Sequence, residues 1–270
     1  MDNDDLLEVY LVDGATKKRF EFDSRFEKVI NLTRGLLSEP NFLVSNLIKA
    51  GDIFSLVLLP KGMIKKLLKI KPTLSQKESQ AIFNTLQNRL FSLKPKTILV
   101  HYRGRELKFQ CDANTLIPQL IMIKELIADN QYNATKEELI GKTVVDAGAN
   151  VGVFSIYAAA LGAKKIYSFE PVPETYNRLR QNISLNGFEG VIIPINNGLG
   201  ESRGSMTIGY RFGGDWGASL KPKPEDRFTS FQNVAILTLD DYMEGKERTA
   251  FLKVDVEGME IEVFRGGLKT

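Results

Sequence analysis

The sequence predicts an α/β fold whose C-terminal half is a doubly wound, Rossmann-like sheet, and three observations carry that reading. From Gly141 onward, short β-branched or apolar runs alternate with amphipathic stretches, the rhythm of parallel strands covered by helices on both faces. The run Thr143-Val144-Val145-Asp146-Ala147-Gly148-Ala149-Asn150-Val151-Gly152-Val153-Phe154-Ser155 reads as a buried strand, a glycine turn and the first turn of a helix. Glu170 falls 24 positions after Asp146, where the end of a second strand adjoins the end of the first.

The totals narrow the chemistry. A chain of 270 residues, 43% hydrophobic and 26% charged, has the composition of an ordinary globular protein able to bury a core. Its net charge of +3 is too small to imply a nucleic-acid partner. Cys111 and His101 are each the only residue of their type, which excludes an intrachain disulfide and most zinc sites. The acidic start Met1 to Asp5 is unlike a signal peptide, and the apolar stretch 41–60 is broken by Lys49, Asp52 and Pro60. A cytoplasmic protein is the expectation.

Taken in order, residues 1–95 read as a mainly helical region of unassigned role. Asp23 or Ser24 caps one expected helix to Leu37, and Ser75-Gln76-Lys77-Glu78 has capping-box spacing before Ile82, Leu86 and Leu90. Between them Lys61 to Lys71 carries five lysines and no acid: a face for an anionic surface or acidic substrate, or a solvated helix side whose apolar face packs inward. Residues 96–140 then lead into the core. Thr97–Tyr102 and Arg105–Cys111 alternate around Arg103-Gly104 as a β-hairpin, with His101 read as packed or surface rather than catalytic. Ile117 to Ala128 follows as an apolar helix with Pro118 near its start, and Thr135-Lys136-Glu137-Glu138 is a second capping box.

The domain 141–270 opens with the strand Thr143–Ala147 and a helix over 151–161 stopped by Gly162. A strand over 165–170, a helix over 173–185 ended by Asn186-Gly187 and a strand over 191–195 come next. Two extended segments, 206–210 and 234–239, flank a glycine-rich loop in which Trp216 either covers a substrate or anchors the loop. The strand 250–256 and a short amphipathic helix close the sequence. That last strand would be left with an open apolar edge, so the sequence is expected to stop inside a longer protein.

The turn matches neither common nucleotide motif. Asn150 stands between Gly148 and Gly152 where a dinucleotide fingerprint needs its glycine spacing, and no Gly-Lys-Ser/Thr completes a P-loop. Glu170 at a strand end suits both hydroxyls of a ribose. Asp146 beside the turn suits a ligand with a positive centre, a description that S-adenosylmethionine meets. The bland alternative is that Asp146 merely caps the turn and Glu170 pairs with a surface lysine.

Three motifs in order, Val145-Asp146-Ala147-Gly148-Ala149-Asn150-Val151-Gly152, Phe169-Glu170-Pro171-Val172-Pro173 and Leu252-Lys253-Val254-Asp255-Val256-Glu257-Gly258-Met259-Glu260, resemble the FkbM family of S-adenosylmethionine-dependent methyltransferases. The resemblance runs from about Gly141 to Gly267 and takes in the Leu237-Thr238-Leu239-Asp240-Asp241 segment, read as extended. It implies the doubly wound methyltransferase sheet and O-methylation of a sugar, lipid or polyketide-like hydroxyl. Asp146, Gly148, Ala149, Asn150 and Gly152 would line the methionine and ribose side of the cofactor. Glu170 would hold the ribose, and Asn196 or Asn197 would lie near the adenine.

Asp255 and Glu257 would stand at the methyl-transfer end as the catalytic pair, with Asp240 and Asp241 behind them. An aliphatic hydroxyl needs its proton removed, and a placed carboxylate can supply roughly 100- to 10,000-fold. The same pair could instead share a divalent cation or accept plain hydrogen bonds; no dedicated metal site is expected. Asp255-Val256-Glu257 replaces the Asn/Asp-Pro-Pro-aromatic run of enzymes that methylate exocyclic amines. The same mismatch counts against a transfer-RNA methyltransferase, which the chain resembles through Asn182 and Asn186. A reading from another class is a non-catalytic binding or scaffold protein that retains part of a methyltransferase sheet.

Overall fold

The computed structural model describes residues 7–22, 96–112, 115–211, 213–214, 217–221 and 228–270. The expected helices within 23–95, the lysine-rich run Lys61 to Lys71 and Trp216 lie outside the described residues.

The described N-terminal residues are strands. β1 (Glu8–Asp13) and β2 (Thr16–Phe20) form a hairpin, and β3 (Thr97–Tyr102) and β4 (Arg105–Gln110) form the hairpin expected around Arg103-Gly104. All four make one antiparallel sheet in the order β2-β1-β3-β4. The local pattern does not mark β1, because only Val9 and Leu11 alternate inward. Their sheet neighbours Val100 and Ile98 come from about ninety residues away, and such a pairing leaves no local period to read.

The buried face of this sheet, including Ile98, Val100, Leu107 and Phe109, shares one core with the helices that follow. α1 (Leu116–Ile123) is buried along its whole length and passes into a π-helical turn, Lys124–Ala128. α2 (Lys136–Leu139) starts at the expected capping box: Thr135 Oγ1 accepts from the Glu138 amide at 3.3 Å, and Glu138 Oε2 accepts from the Thr135 amide at 3.0 Å.

The parallel sheet has the order β11-β5-β6-β7, built from β5 (Thr143–Ala147), β6 (Lys165–Phe169), β7 (Ile192–Ile195) and β11 (Phe251–Val254). Every residue of β5 is buried, as a strand flanked on both edges and both faces requires. α3 (Val153–Ala160) and α4 (Pro173–Leu185) are the first two crossovers. α4 also ties the two sheets together. Asn182 Oδ1 accepts from the Gln110 amide, and Asn186 both accepts from the Lys108 amide and donates to its carbonyl, each at 2.8 Å.

The expected segments at 206–210 and 234–239 do not join the parallel sheet. β9 (Gly204–Tyr210) and β10 (Ser230–Leu237) pair antiparallel, with β8 (Gly198–Leu199) alongside, in the order β8-β10-β9. The extended reading of residues 237–241 is corrected. Thr238 Oγ1 accepts from the Asp241 amide at 3.1 Å and starts a helix, α5 (Leu239–Met243); a capping threonine at the end of a strand outweighs strand continuation. α6 (Glu260–Arg265) follows β11. Among the described residues no helix is long and apolar enough to cross a membrane.

Candidate active site

The turn after β5 owes its shape to three left-handed residues: Gly148 (φ +80°), Asn150 (φ +50°) and Gly152 (φ +92°). Asparagine is among the few side chains that tolerate this region. Asn150 adds a local reason, since its Oδ1 accepts from the next amide, Val151, at 2.8 Å. The other turn amides are engaged as well. Gly148 and Ala149 donate to the Phe169 carbonyl, Asn150 to Glu170 Oε2 at 3.1 Å, and Gly152 to the Ala149 carbonyl. A phosphate-binding turn needs such amides aimed at its ligand. This one keeps them for itself, so a pyrophosphate finds no cradle here.

Glu170, at the end of β6, is 5% exposed. Its two oxygens accept from the amides of Asn150 and Val172, the latter at 2.8 Å, and a carboxylate has lone pairs left for further donors. Burial pushes its carboxyl up to about 7; the Val172 and Asn150 amides and the Lys253 ammonium partly offset this, and Asp146 reinforces it.

Asp146 and Lys253 sit directly across from each other on β5 and β11. Their side chains are 0% and 4% exposed, with Nζ 3.1 Å from Oδ1, an ion pair that is not aligned as a hydrogen bond. Lys253 donates instead to the Gly148 carbonyl at 2.7 Å, and Ser155 donates to Asp146 Oδ2 at 2.6 Å. At the C-terminal end of β11, Asp255 is 52% exposed on its side chain and accepts from the Tyr132 hydroxyl at 2.9 Å. Burial, and then the Asp255 carboxylate, raise the Tyr132 hydroxyl well above the usual tyrosine range, so it stays a donor.

These strand ends open on a cavity of about 810 Å³, within the size range of small-molecule sites. Gly148, Ala149, Asn150, Glu170 and Asn197 line it from the cofactor side expected above, and Asp255 and Glu257 line it from the end of β11. Three expected ligand residues do not. Asp146 is turned into the Lys253–Ser155 network beneath the turn. Gly152 is pressed against α4, where a Cβ would come 2.6 Å from Leu179 Cδ1. Asn196 donates to the carbonyls of Glu170 and Pro171, and so braces the loop instead of facing the cavity. Asp240 and Asp241 are also elsewhere: Asp241 pairs with Arg203 at 2.6 Å, and Asp240 accepts from the Lys269 amide at 3.0 Å. His101 lies on the antiparallel sheet beside Tyr10 and Glu106.

Beyond the residues expected from the sequence, five polar side chains also line the cavity: Glu125, Gln131, Tyr132, Arg211 and Lys253. Lys253 had a visible signal, a lysine between Leu252 and Val254 in an otherwise apolar strand, where a charge must find a buried partner. Tyr132 had none, because its approach to Asp255 spans 123 positions. Among the described residues no three His, Cys, Asp or Glu side chains gather as a metal site needs. Cys111 is buried, which pushes its thiol up to about 12 and away from nucleophilic use.

The carboxylates Glu125, Glu170, Asp255 and Glu257 outnumber the cations Lys253 and Arg211 along the cavity, and Lys253 is already matched by Asp146. The cavity therefore fits a ligand that carries hydroxyls and positive charge, as S-adenosylmethionine does, better than an anionic nucleotide.

Comparison with known proteins finds methyltransferases among the relatives of this chain. The methyltransferase sdnD of Sordaria araneosa is 29% identical over 173 residues, covering 53% of this chain and 66% of that protein. The hexuronic acid methyltransferase AglP of Haloferax volcanii is 28% identical over 130 residues, covering 45% of this chain and 48% of that protein. The chain thus spans about half to two-thirds of the length of these relatives. A solved tRNA m1G37 methyltransferase of M. jannaschii aligns over 42% of this chain and 40% of its own, with 25% identity and a TM-score of 0.29. Residues 146–270 match the family model described as the Methyltransferase FkbM domain. The glycine turn, the β6 carboxylate and the β11 motif all fall inside that match, and residues 146–270 are an FkbM methyltransferase domain.

Proposed function

We propose that the protein is an S-adenosylmethionine-dependent methyltransferase that acts on a hydroxyl of a sugar, lipid or polyketide-like acceptor. The observation that carries this reading is one cavity that holds Glu170 at the end of β6 and Asp255 at the end of β11, beside a turn whose amides are all engaged internally. Glu170 would accept the ribose hydroxyls, and the walls formed by Gly148, Ala149 and Asn150 would take the methionine side. When bound, S-adenosylmethionine supplies a methyl group already activated by its sulfonium charge. Asp255 would take the proton of the acceptor hydroxyl as its oxygen gains the methyl group, and Glu257 would orient the acceptor.

The hydroxyl specificity draws support from the Asp255-Val256-Glu257 sequence at the strand end, and a sugar-type acceptor draws support from the hexuronic acid methyltransferase among the relatives. Calorimetry with S-adenosylmethionine tests the cofactor. Wild type should bind, and Glu170→Ala should lose at least tenfold in affinity, about the 1.4 kcal/mol that an interaction with a charged group supplies. A screen for methyl transfer to sugars, lipids and polyketides tests the reaction. Binding with no transfer to any acceptor favours a binding or scaffold protein instead.

A further inference from the structure

We propose that Tyr132, contributed by the segment ahead of the FkbM domain, is a positioning residue that holds the Asp255 carboxylate at the end of the cavity where the cofactor's positive charge resides. The inference rests on the cofactor reading above and adds a part of the site from outside residues 146–270.

Four observations carry it. The Tyr132 hydroxyl donates to Asp255 Oδ2 at 2.9 Å, and both residues line the cavity. The Tyr132 ring is fixed from behind by edge-on packing against the buried Phe154, with centroids 5.8 Å apart. Its face lies 5.8 Å from Lys253 Nζ, which is itself 4.0 Å from Asp255 Oδ2. The backbone that delivers Tyr132 is irregular: it follows the π-helical turn Lys124–Ala128 and lies between Asn130 and Asn133, both at positive φ. Side-chain bonds maintain that shape, with Asn130 Oδ1 accepting from the Ala134 amide at 2.9 Å.

A half-exposed aspartate at a strand end would otherwise sample several rotamers. The alternative partner, Lys253, is committed to Asp146 and to the Gly148 carbonyl. Tyr132 therefore supplies the bond that aims the carboxylate without neutralising it. The charged and titratable groups around Asp255 include Tyr132 and Lys253, with Asp146 behind Lys253, Glu257 further along the same loop and Glu125 acting on Tyr132 from the same cavity.

The consequence is selectivity by charge. A site with an aimed carboxylate favours a cationic ligand over a neutral one of the same shape. The probes are S-adenosylhomocysteine, a neutral thioether, and sinefungin, in which an amine-bearing carbon replaces the sulfonium. Their affinities are measured by calorimetry on the full chain for wild type, Tyr132→Phe, Asp255→Asn and the double variant. Each substitution is nearly isosteric, and thermal melting checks that all four proteins fold alike.

The expected result is a sinefungin-to-S-adenosylhomocysteine affinity ratio that falls roughly tenfold in Asp255→Asn, falls severalfold in Tyr132→Phe, and falls no further in the double variant. A ratio that Asp255→Asn leaves unchanged overturns the proposal, and so does a Tyr132→Phe effect that persists in the Asp255→Asn background. If wild type binds neither ligand, the cofactor reading itself fails, which is a separate and recognisable result.

Discussion

Lys253 Nζ lies 3.1 Å from Asp146 Oδ1 across adjacent strands, with both side chains essentially sealed from solvent. The pair joins the strand that carries the glycine turn to the strand that carries Asp255, so the two halves of the site share one internal contact. Removing one member of a buried pair leaves an uncompensated charge, which costs about 3–5 kcal/mol. Lys253→Met should lower unfolding free energy by that amount in urea titration. Adding Asp146→Asn should restore part of it, because the stranded charge is then gone. A loss below about 1 kcal/mol in Lys253→Met would show that water or a rearranged Ser155 already screens Asp146.

Glu170 makes both stability and ligand binding depend on pH. Its carboxyl is held at about 7 in the folded chain, against an ordinary 4.5, mainly by burial. Between those values the native state keeps a proton that the unfolded chain has lost. Stability from this group is therefore complete below about pH 4.5 and falls as pH rises towards 7, by about 3 kcal/mol in all. Ligand affinity runs the other way, since only the ionised form accepts from two hydroxyls, so S-adenosylmethionine should bind more tightly at pH 8 than at pH 6. Denaturation and calorimetry at both pH values should give opposite trends in wild type. Glu170→Gln should flatten both.

Gly148 packs directly against the backbone that follows β11. A Cβ there would lie 1.9 Å from the Asp255 carbonyl oxygen, on a backbone with φ +80°. Gly148→Ala must separate the turn from the strand end, with a left-handed penalty of about 1–2 kcal/mol added. The expected outcome is a loss of at least about 3 kcal/mol in stability together with loss of cofactor binding. Gly258, also left-handed but with open space around its Cβ position, is the control. Gly258→Ala should show only the backbone penalty.

The parts of this site that are legible in the sequence are those set by local constraint. The strand Thr143–Ala147 is buried throughout because both faces are covered, and Gly148, Asn150 and Gly152 are spaced by the backbone angles the turn adopts. Glu170 and Asp255 follow from strand ends, which connect to the turn through parallel pairing. What eludes a linear reading is lateral. Asp146 looks like a ligand residue until Lys253 is seen opposite it, and Asn196 looks like an adenine contact until the Glu170 and Pro171 carbonyls occupy its amide. Tyr132 and β1 depend on partners 123 and about ninety residues away, a distance at which neither periodicity nor spacing carries information.

Asn182 on α4 and Asn186 at its C-terminal cap stand about one helical turn apart, and their different bonds give the last prediction. Asn182 is fully buried; its Oδ1 accepts from the Gln110 amide and its Nδ2 donates to the Val151 carbonyl, each at 2.8 Å. It therefore holds the antiparallel sheet on one side and the glycine turn on the other. Asn186 also reaches the antiparallel sheet, through both backbone groups of Lys108, but its remaining bond is to Asn182 within the helix. Asn182→Ala strands a buried donor and a buried acceptor, which costs about 2–4 kcal/mol. Because the acceptor belongs to the turn, it should also weaken S-adenosylmethionine binding at a temperature where the protein stays folded. Asn186→Ala should cost about 1 kcal/mol, since water can reach its less buried partners, and should leave binding unchanged. Melting curves and calorimetry on the two variants separate the effects. Equal binding in both would mean that the turn keeps its shape without Asn182, through its own internal amide bonds.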